Sequence, residues 1–169
     1  MVSTLHAKGY DFITDDVLSI DVHHQPPIVT PSYPEVRLCA DTVETMGHIF
    51  ELHDSEIESH WKEEKLVESR VAEGCPPLLC LYILDVGDRH EITTLPLQHA
   101  FLELSHHSRA IRAINTLDVK GLRAAHFQQC MKLVQSVPVF KLKRRRSLEE
   151  MPQVVELIEN HVQTLCQIA

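Results

Sequence analysis

Glycine is scarce in this chain: five residues in 169, at Gly9, Gly47, Gly74, Gly87 and Gly121. None of them belongs to a Gly-x-x-x-x-Gly-Lys-Ser/Thr run. The backbone N–H groups and lysine that cradle the β- and γ-phosphates of a nucleotide in such a loop are therefore absent from these residues. Cysteine is also sparse, and its number is odd: Cys39, Cys75, Cys80, Cys130 and Cys166, with no Cys-x-x-Cys pair. That pattern is no disulfide framework and fits buried thiols in a reducing, intracellular compartment, the cytoplasm. The opening Met-Val-Ser-Thr-Leu-His lacks the apolar core of a secretory signal, and no apolar run is long enough to cross a bilayer. No internal repeat or low-complexity tract occurs. Excess positive charge is missing too, since the formal net charge is -8. This argues against a broad face for nucleic acid or anionic lipid.

What is present suffices for a folded domain. Hydrophobic residues make up 44% of the chain, ordinary globular usage, and the length suits one domain over residues 1–169. The single basic run, Lys141-Leu142-Lys143-Arg144-Arg145-Arg146, reads as a solvated strand end and loop, with an anion or nucleic-acid contact as the alternative.

Patterning along the chain mixes strands with helices. Residues 10–22 read as a strand interrupted by Asp15 and Asp16. His23-His24-Gln25-Pro26-Pro27 reads as a turn, and Ile28-Val29-Thr30 as a second extended stretch. Asp41 and Glu44 have capping-box spacing for a short helix fading near Gly47. Residues 51–74 are crowded with charge and read as exposed helical turns or a mobile flap on the domain. The unbroken run Leu78–Leu84 predicts a strand buried on both faces. Another strand is expected over His90–Leu95. Leu97, Phe101, Leu104, Ser108 and Ile111 mark one helix, and Phe127, Cys130, Met131 and Val134 the next. Val137–Leu142 reads as a late strand. Ser147-Leu148-Glu149-Glu150 caps a closing helix whose buried stripe is Val155, Ile158, Val162 and Leu165. The fold class expected is α/β, a layered mixed sheet flanked by helices.

The most telling segment is Gly9-Tyr10-Asp11-Phe12-Ile13-Thr14-Asp15-Asp16-Val17, which puts two neighbouring carboxylates after a short apolar run. Successive strand side chains point to opposite faces, so both acids serve one site only where the chain turns. At a strand end, one carboxylate can hold Mg²⁺ while the other takes a proton from an acceptor hydroxyl. A turn whose carboxylates accept backbone hydrogen bonds is the commoner arrangement for such a local pattern.

Lys8-Gly9-Tyr10-Asp11-Phe12-Ile13-Thr14-Asp15-Asp16-Val17-Leu18-Ser19-Ile20 resembles the segment that follows the P-loop helix in HPr kinase/phosphorylase and its relatives. Pro31-Ser32-Tyr33-Pro34-Glu35-Val36-Arg37-Leu38 is similar to the next block of the HPr-serine-kinase-like proteins. Glu64-Lys65, Leu81-Tyr82-Ile83-Leu84, Leu104-Ser105-His106-His107-Ser108, His126-Phe127 and residues 137–144 extend the likeness over nearly the whole chain. The resemblance implies the C-terminal part of a P-loop-kinase-like domain, lacking its N-terminal strand and its P-loop. It also implies ATP and Mg²⁺ as cofactors and a serine in a protein or peptide as acceptor. Asp15 then corresponds to the acid that helps hold Mg²⁺ and Asp16 to the proton acceptor and donor, although the motif alone does not orient the two. Lys65 and Arg112 become candidates for contact with phosphate. The subgroup often has Trp-Pro where this chain has Cys39-Ala40, a departure that touches packing rather than chemistry.

Twelve histidines raise the question of a metal. His99, Glu103 and His106 or His107 share one side of a helix, and His48, His53 and His60 form a looser set. Neither has the spacing of a compact zinc motif, and solvated or core-edge imidazoles are the ordinary reading. Besides a metal-dependent hydrolase using the histidines, two functions remain in competition. One is a phosphotransferase domain incomplete by itself, its missing half supplied by a partner. The other is a non-catalytic protein- or peptide-binding module on a kinase-derived scaffold, whose open sheet edge is covered by self-association or by a partner.

Overall fold

The computed structural model describes residues 1–15, 17–31, 35–38, 52–59, 62–67, 71–110 and 121–168, with only the backbone described for 35–38, 52–59, 62–67 and 168. The chain divides into two compact units. The first comprises Met1–Ser19, Thr30–Pro76 and Arg145–Ala169, and the second Ile20–Val29 and Pro77–Arg144. Both contain helices and strands, so the molecule is mixed α/β as expected.

The first unit starts with the short helix α1 (Val2–Ala7) and ends with the long helix α4 (Met151–Ile168). Ser147 leads into α4: its Oγ accepts the Glu150 N–H at 3.3 Å, as the capping-box spacing requires. Ser147→Ala is expected to destabilise the fold by about 1 kcal/mol, read from the shift in a urea unfolding midpoint, with the m-value unchanged. Met151, Val154, Val155 and Ile158 recur at helical spacing and are all buried, so α4 has one dry face. Between these helices in sequence lies a three-stranded antiparallel sheet of order β3-β5-β4, with β3 (Glu35–Leu38), β4 (Leu52–Ser59) and β5 (Lys62–Val67). Arg37 is registered against Glu64, and His53 against Leu66. The β4–β5 register shifts between Asp54 and Glu58.

This corrects the helical reading of the charged stretch within residues 51–74, most of which is a β-hairpin. Charge density suggested exposed helical turns. Backbone pairing with β3, remote in sequence, decides the matter, and local propensity carries no record of it. The proposed Asp41 cap and its helix lie outside the described residues.

The second unit holds most of the paired strands β1 (Ser19–Asp21) and β2 (Ile28–Thr30), and a mixed sheet of order β6-β8-β7. The bend between β1 and β2 contains a cis Gln25–Pro26 bond. β6 (Leu81–Val86) runs parallel to β8 (Val139–Arg144), and β7 (Glu91–Thr94) runs antiparallel to β8. Helices α2 (Leu97–His107) and α3 (Leu122–Ser136) cover one face. There Ile83 and Val139 pack with Ala100 and Val134, flanked by Leu95, Phe101 and Met131. A neighbouring cluster joins Val22, Leu133 and Val137.

Two expectations fail in the second unit. The run Leu78–Leu84 is not a strand buried on both faces. The strand starts at Leu81, and Leu84 and Val86 are 50% and 52% exposed. Helices α2 and α3 pack on the face that carries Ile83, and the opposite face, with Leu84 and Val86, is half-exposed. Phe127 is not core but 54% exposed, resting its ring against Phe101 at 5.0 Å. Periodicity identified the helix, but the depth of cover on each side of its stripe depends on what packs there.

Candidate functional site

Phe12 anchors the acidic segment. Its side chain is 2% exposed, and its ring meets His6 of α1 edge-on at 6.4 Å. The Phe12 carbonyl accepts the Ala72 N–H at 2.8 Å, and Phe12 forms a parallel β-bridge with Val71. Asp15 follows three residues on, at a bend, with its side chain exposed. Asp16 lies outside the described residues, as does Arg112. Lys65 sits in the middle of β5, registered against Val36 on one side and Asp54 on the other, and only its backbone is described. Of the four residues singled out from the sequence, the structure thus locates Asp15 fully and Lys65 in register.

Sequence reasoning missed what surrounds this segment. Glu159 of α4 accepts two hydrogen bonds, from the Lys8 ammonium at 2.7 Å and the Tyr10 hydroxyl at 3.0 Å. Nearby, the His6 Nδ1–H donates to the Tyr10 carbonyl at 3.1 Å. The Lys8 and Tyr10 bonds tie residues 8–10 to the third turn of α4, and the His6 bond holds α1 to the same segment. Between them lies a cleft of about 420 Å³ with largely apolar walls, among them Leu5, Ile13, Ile158 and Val162. The α4 half of this wall was legible as a hydrophobic stripe. The α1 half was not, because six residues of mixed polarity carry too little periodicity to announce a helix.

The clamp has a defined electrostatic signature. The Lys8 and Tyr10 hydrogen bonds hold the Glu159 carboxyl below its ordinary value of 4.5. The bond to Glu159 raises Lys8 above 10.5 and Tyr10 above 10.0. A lowered carboxylate stabilises the fold above its unfolded pKa, and that contribution is lost as pH falls through the lower folded value. The raised Lys8 and Tyr10 behave oppositely, losing theirs as pH rises through their folded values. The stability difference between wild type and Glu159→Gln is therefore expected to be flat around neutrality. It should shrink below pH 4.5 and again above pH 10, measured by urea titrations across that range. All three groups are in contact with solvent, so added salt should diminish the difference everywhere.

The second unit carries its own polar cleft, about 530 Å³, lined by His99, Glu103, His106 and Lys141. Lys141 Nζ donates to Glu103 Oε1 at 3.0 Å and stands 3.7 Å from Asp85 Oδ2. The Glu103 hydrogen bond holds the Lys141 ammonium above its ordinary range. Glu103 is thus engaged by lysine, with His107 Nε2 a further 3.9 Å contact. Among the described residues no three His, Cys, Asp or Glu side chains gather as a metal group, the helix set of His99, Glu103 and His106 included. The other histidine set lies outside the described residues at His48 and His60, and is described at His53 by its backbone alone. The basic run is laced with carboxylates: Lys143 meets Glu91 at 3.2 Å, and Arg145 meets Glu150 at 3.7 Å.

One Cys–His pair emerges from the fold that spacing alone did not assign. Cys130 Sγ lies 3.6 Å from His126 Nε2, one turn apart on α3. Burial pushes the Cys130 thiol up, outweighing a hydrogen bond from Ser105 that lowers it. A thiol so held is a poor nucleophile, because the thiolate is the reactive form.

Comparison with protein-family models, with curated proteins and with solved structures gives no match to this chain.

Proposed function

We propose that this chain is the acid-bearing part of an HPr-serine-kinase-like phosphotransferase, acting on a serine of a protein or peptide in the cytoplasm. The observation that carries the reading is the placement of Asp15. It is exposed and follows a buried aromatic that is bridged in parallel to a neighbouring segment. Asp15 stands at a bend beyond this isolated bridge rather than at the end of a paired strand, and the backbone held at Phe12 presents its side chain to solvent. The P-loop-kinase-like fold type belongs to the same proposal. The mixed β6-β8-β7 sheet, with helices packed on one face, is compatible with it.

Mg²⁺ fits the residues present. It commonly takes one or two protein carboxylates, keeps several waters and relies on phosphate oxygens for the rest, so a single exposed aspartate is an adequate protein ligand. Bound there, it would neutralise charge on the transferring phosphoryl group. Asp15 holds the ion in this reading. Asp16 accepts the proton of the serine hydroxyl as that oxygen becomes a nucleophile. ATP does not fit these 169 residues alone, because no Gly-x-x-x-x-Gly-Lys-Ser/Thr loop is among them. The reading therefore assigns the triphosphate to a loop-bearing segment outside this sequence, with Lys65 and Arg112 as candidate phosphate contacts from this chain.

The test is reconstitution. The chain, mixed with a polypeptide carrying the loop of an HPr-kinase-like protein, should phosphorylate a serine peptide in Mg-ATP. The chain alone should show weak Mg²⁺ binding by calorimetry and little ATP binding. An absence of turnover across a panel of such halves would sink the proposal.

A second reading, a peptide-binding module without catalysis, is favoured by one observation: the largely apolar cleft beside the acidic segment. It predicts that Asp15→Asn and Asp16→Asn leave peptide capture intact and that no partner restores turnover.

A further inference from the structure

The cleft in the first unit combines three properties. Its walls are mainly apolar, from Leu5, Ile13, Ile158 and Val162, and its volume of about 420 Å³ lies within the range of ligand-binding cavities. It is preformed, because the Lys8–Glu159 and Tyr10–Glu159 hydrogen bonds tie the segment on one side to α4 on the other. Its rim is electrostatically one-sided. Glu159 is neutralised by Lys8, but Asp11, which also lines the cleft, is exposed and has no cationic partner among the described residues. The remaining polar groups at the cleft, His6, Tyr10 and Gln163, bring no fixed positive charge to answer it.

We propose that this cleft is the anchor site for an extended peptide that inserts one bulky aliphatic or aromatic side chain and sets an adjacent lysine or arginine against Asp11. An apolar side chain gains by leaving water for these walls, whereas a carboxylate beside Asp11 is repelled. A neutral apolar ligand would fill the cavity but leave Asp11 unanswered, so charge complementarity selects the cationic peptide. The inference deepens the phosphotransfer reading and rests on it in one respect. Ile13 lines the cleft two residues before Asp15, about 7 Å along an extended chain. A peptide anchored there keeps a serine a few residues away within reach of the acidic pair. The acceptor class is then a serine peptide with an apolar–basic pair near the serine.

The experiment is fluorescence anisotropy with the full chain and a labelled decapeptide of glycine and serine carrying one leucine followed by one arginine. The solution contains neither Mg²⁺ nor nucleotide. Saturable binding is expected, weakened about tenfold or more when the leucine is replaced by serine. Replacing the arginine by glutamate should weaken it about fivefold, less at high salt. Asp11→Lys, a change at an exposed position, should invert the preference so that the glutamate peptide binds better. Val162→Gln, on the partly exposed wall, should weaken both peptides alike. Equal binding of arginine and glutamate peptides, or an unchanged preference in Asp11→Lys, would overturn the proposal. So would binding indifferent to the leucine. Peptide binding that never leads to turnover upholds the anchor and counts against phosphotransfer. Turnover indifferent to the leucine and arginine does the reverse.

Discussion

Phe12→Ala is expected to destabilise the protein by about 3–5 kcal/mol, the range for emptying a buried aromatic position. The ring is 2% exposed, and its edge-on contact with His6 helps hold α1 against the segment. Truncation removes both the transfer free energy of the ring and the contacts its neighbours make with it, because a close-packed interior relaxes only in part. The bridge to Val71 and the hydrogen bond from Ala72 involve only backbone atoms and survive in principle, but they lose the side chain that positions them. Phe12→Leu, which keeps most of the volume, should cost about 1.5 kcal/mol or less. Urea unfolding followed by far-ultraviolet circular dichroism separates the two variants. Equal, small losses for both would mean that Phe12 is not the anchor described above. The substitution matters for function as well, since Asp15 lies three residues beyond this ring.

Asp16→Asn is expected to lower turnover of the reconstituted enzyme by about 10²–10⁴-fold, the usual worth of a positioned proton acceptor. Asparagine keeps the size and the hydrogen-bonding outline of the side chain but cannot accept the serine proton. Asp15→Asn should act differently. If Asp15 holds the metal, its loss should raise the Mg²⁺ concentration needed for half-maximal rate, and part of the rate should return at high Mg²⁺. Measured side by side over a Mg²⁺ titration, the two variants assign the roles that the Asp-Asp motif leaves unoriented. A rate defect relieved by Mg²⁺ in Asp16→Asn, and not in Asp15→Asn, would exchange the assignments. Unchanged turnover in both variants would remove the acidic pair from the chemistry altogether.

Much of the secondary structure was legible because periodicity is a local property. The stripe of α4 emerged at Val155, Ile158 and Val162, and Ser147 announced its start. β2, β7, β8 and the proline turn before β2 fell where residue patterns put them. The strand expected over residues 10–22 is, among the described residues, only the bridge at Phe12 and the short strand β1, and two further failures share one cause. The charged stretch became strands β4 and β5 because it pairs with β3, and the Leu78–Leu84 run became a half-open strand because helices pack on one of its faces. Pairing and packing partners lie far away in sequence, so no window of residues records them.

The candidate site divides along the same line. By itself, the order of residues determined that two carboxylates follow a short apolar run, that no phosphate-cradling loop is among these 169 residues, and that a long amphipathic helix forms after Ser147. Only the tertiary structure decided that Phe12 is buried against His6, that Lys8 and Tyr10 reach Glu159 some 150 residues later, and that the space between them is a largely apolar cleft with the Asp11 carboxylate on its rim. Covalent neighbours set charge and pattern. A cavity exists only between surfaces that folding brings together, so its shape and electrostatic balance are properties of the packed chain.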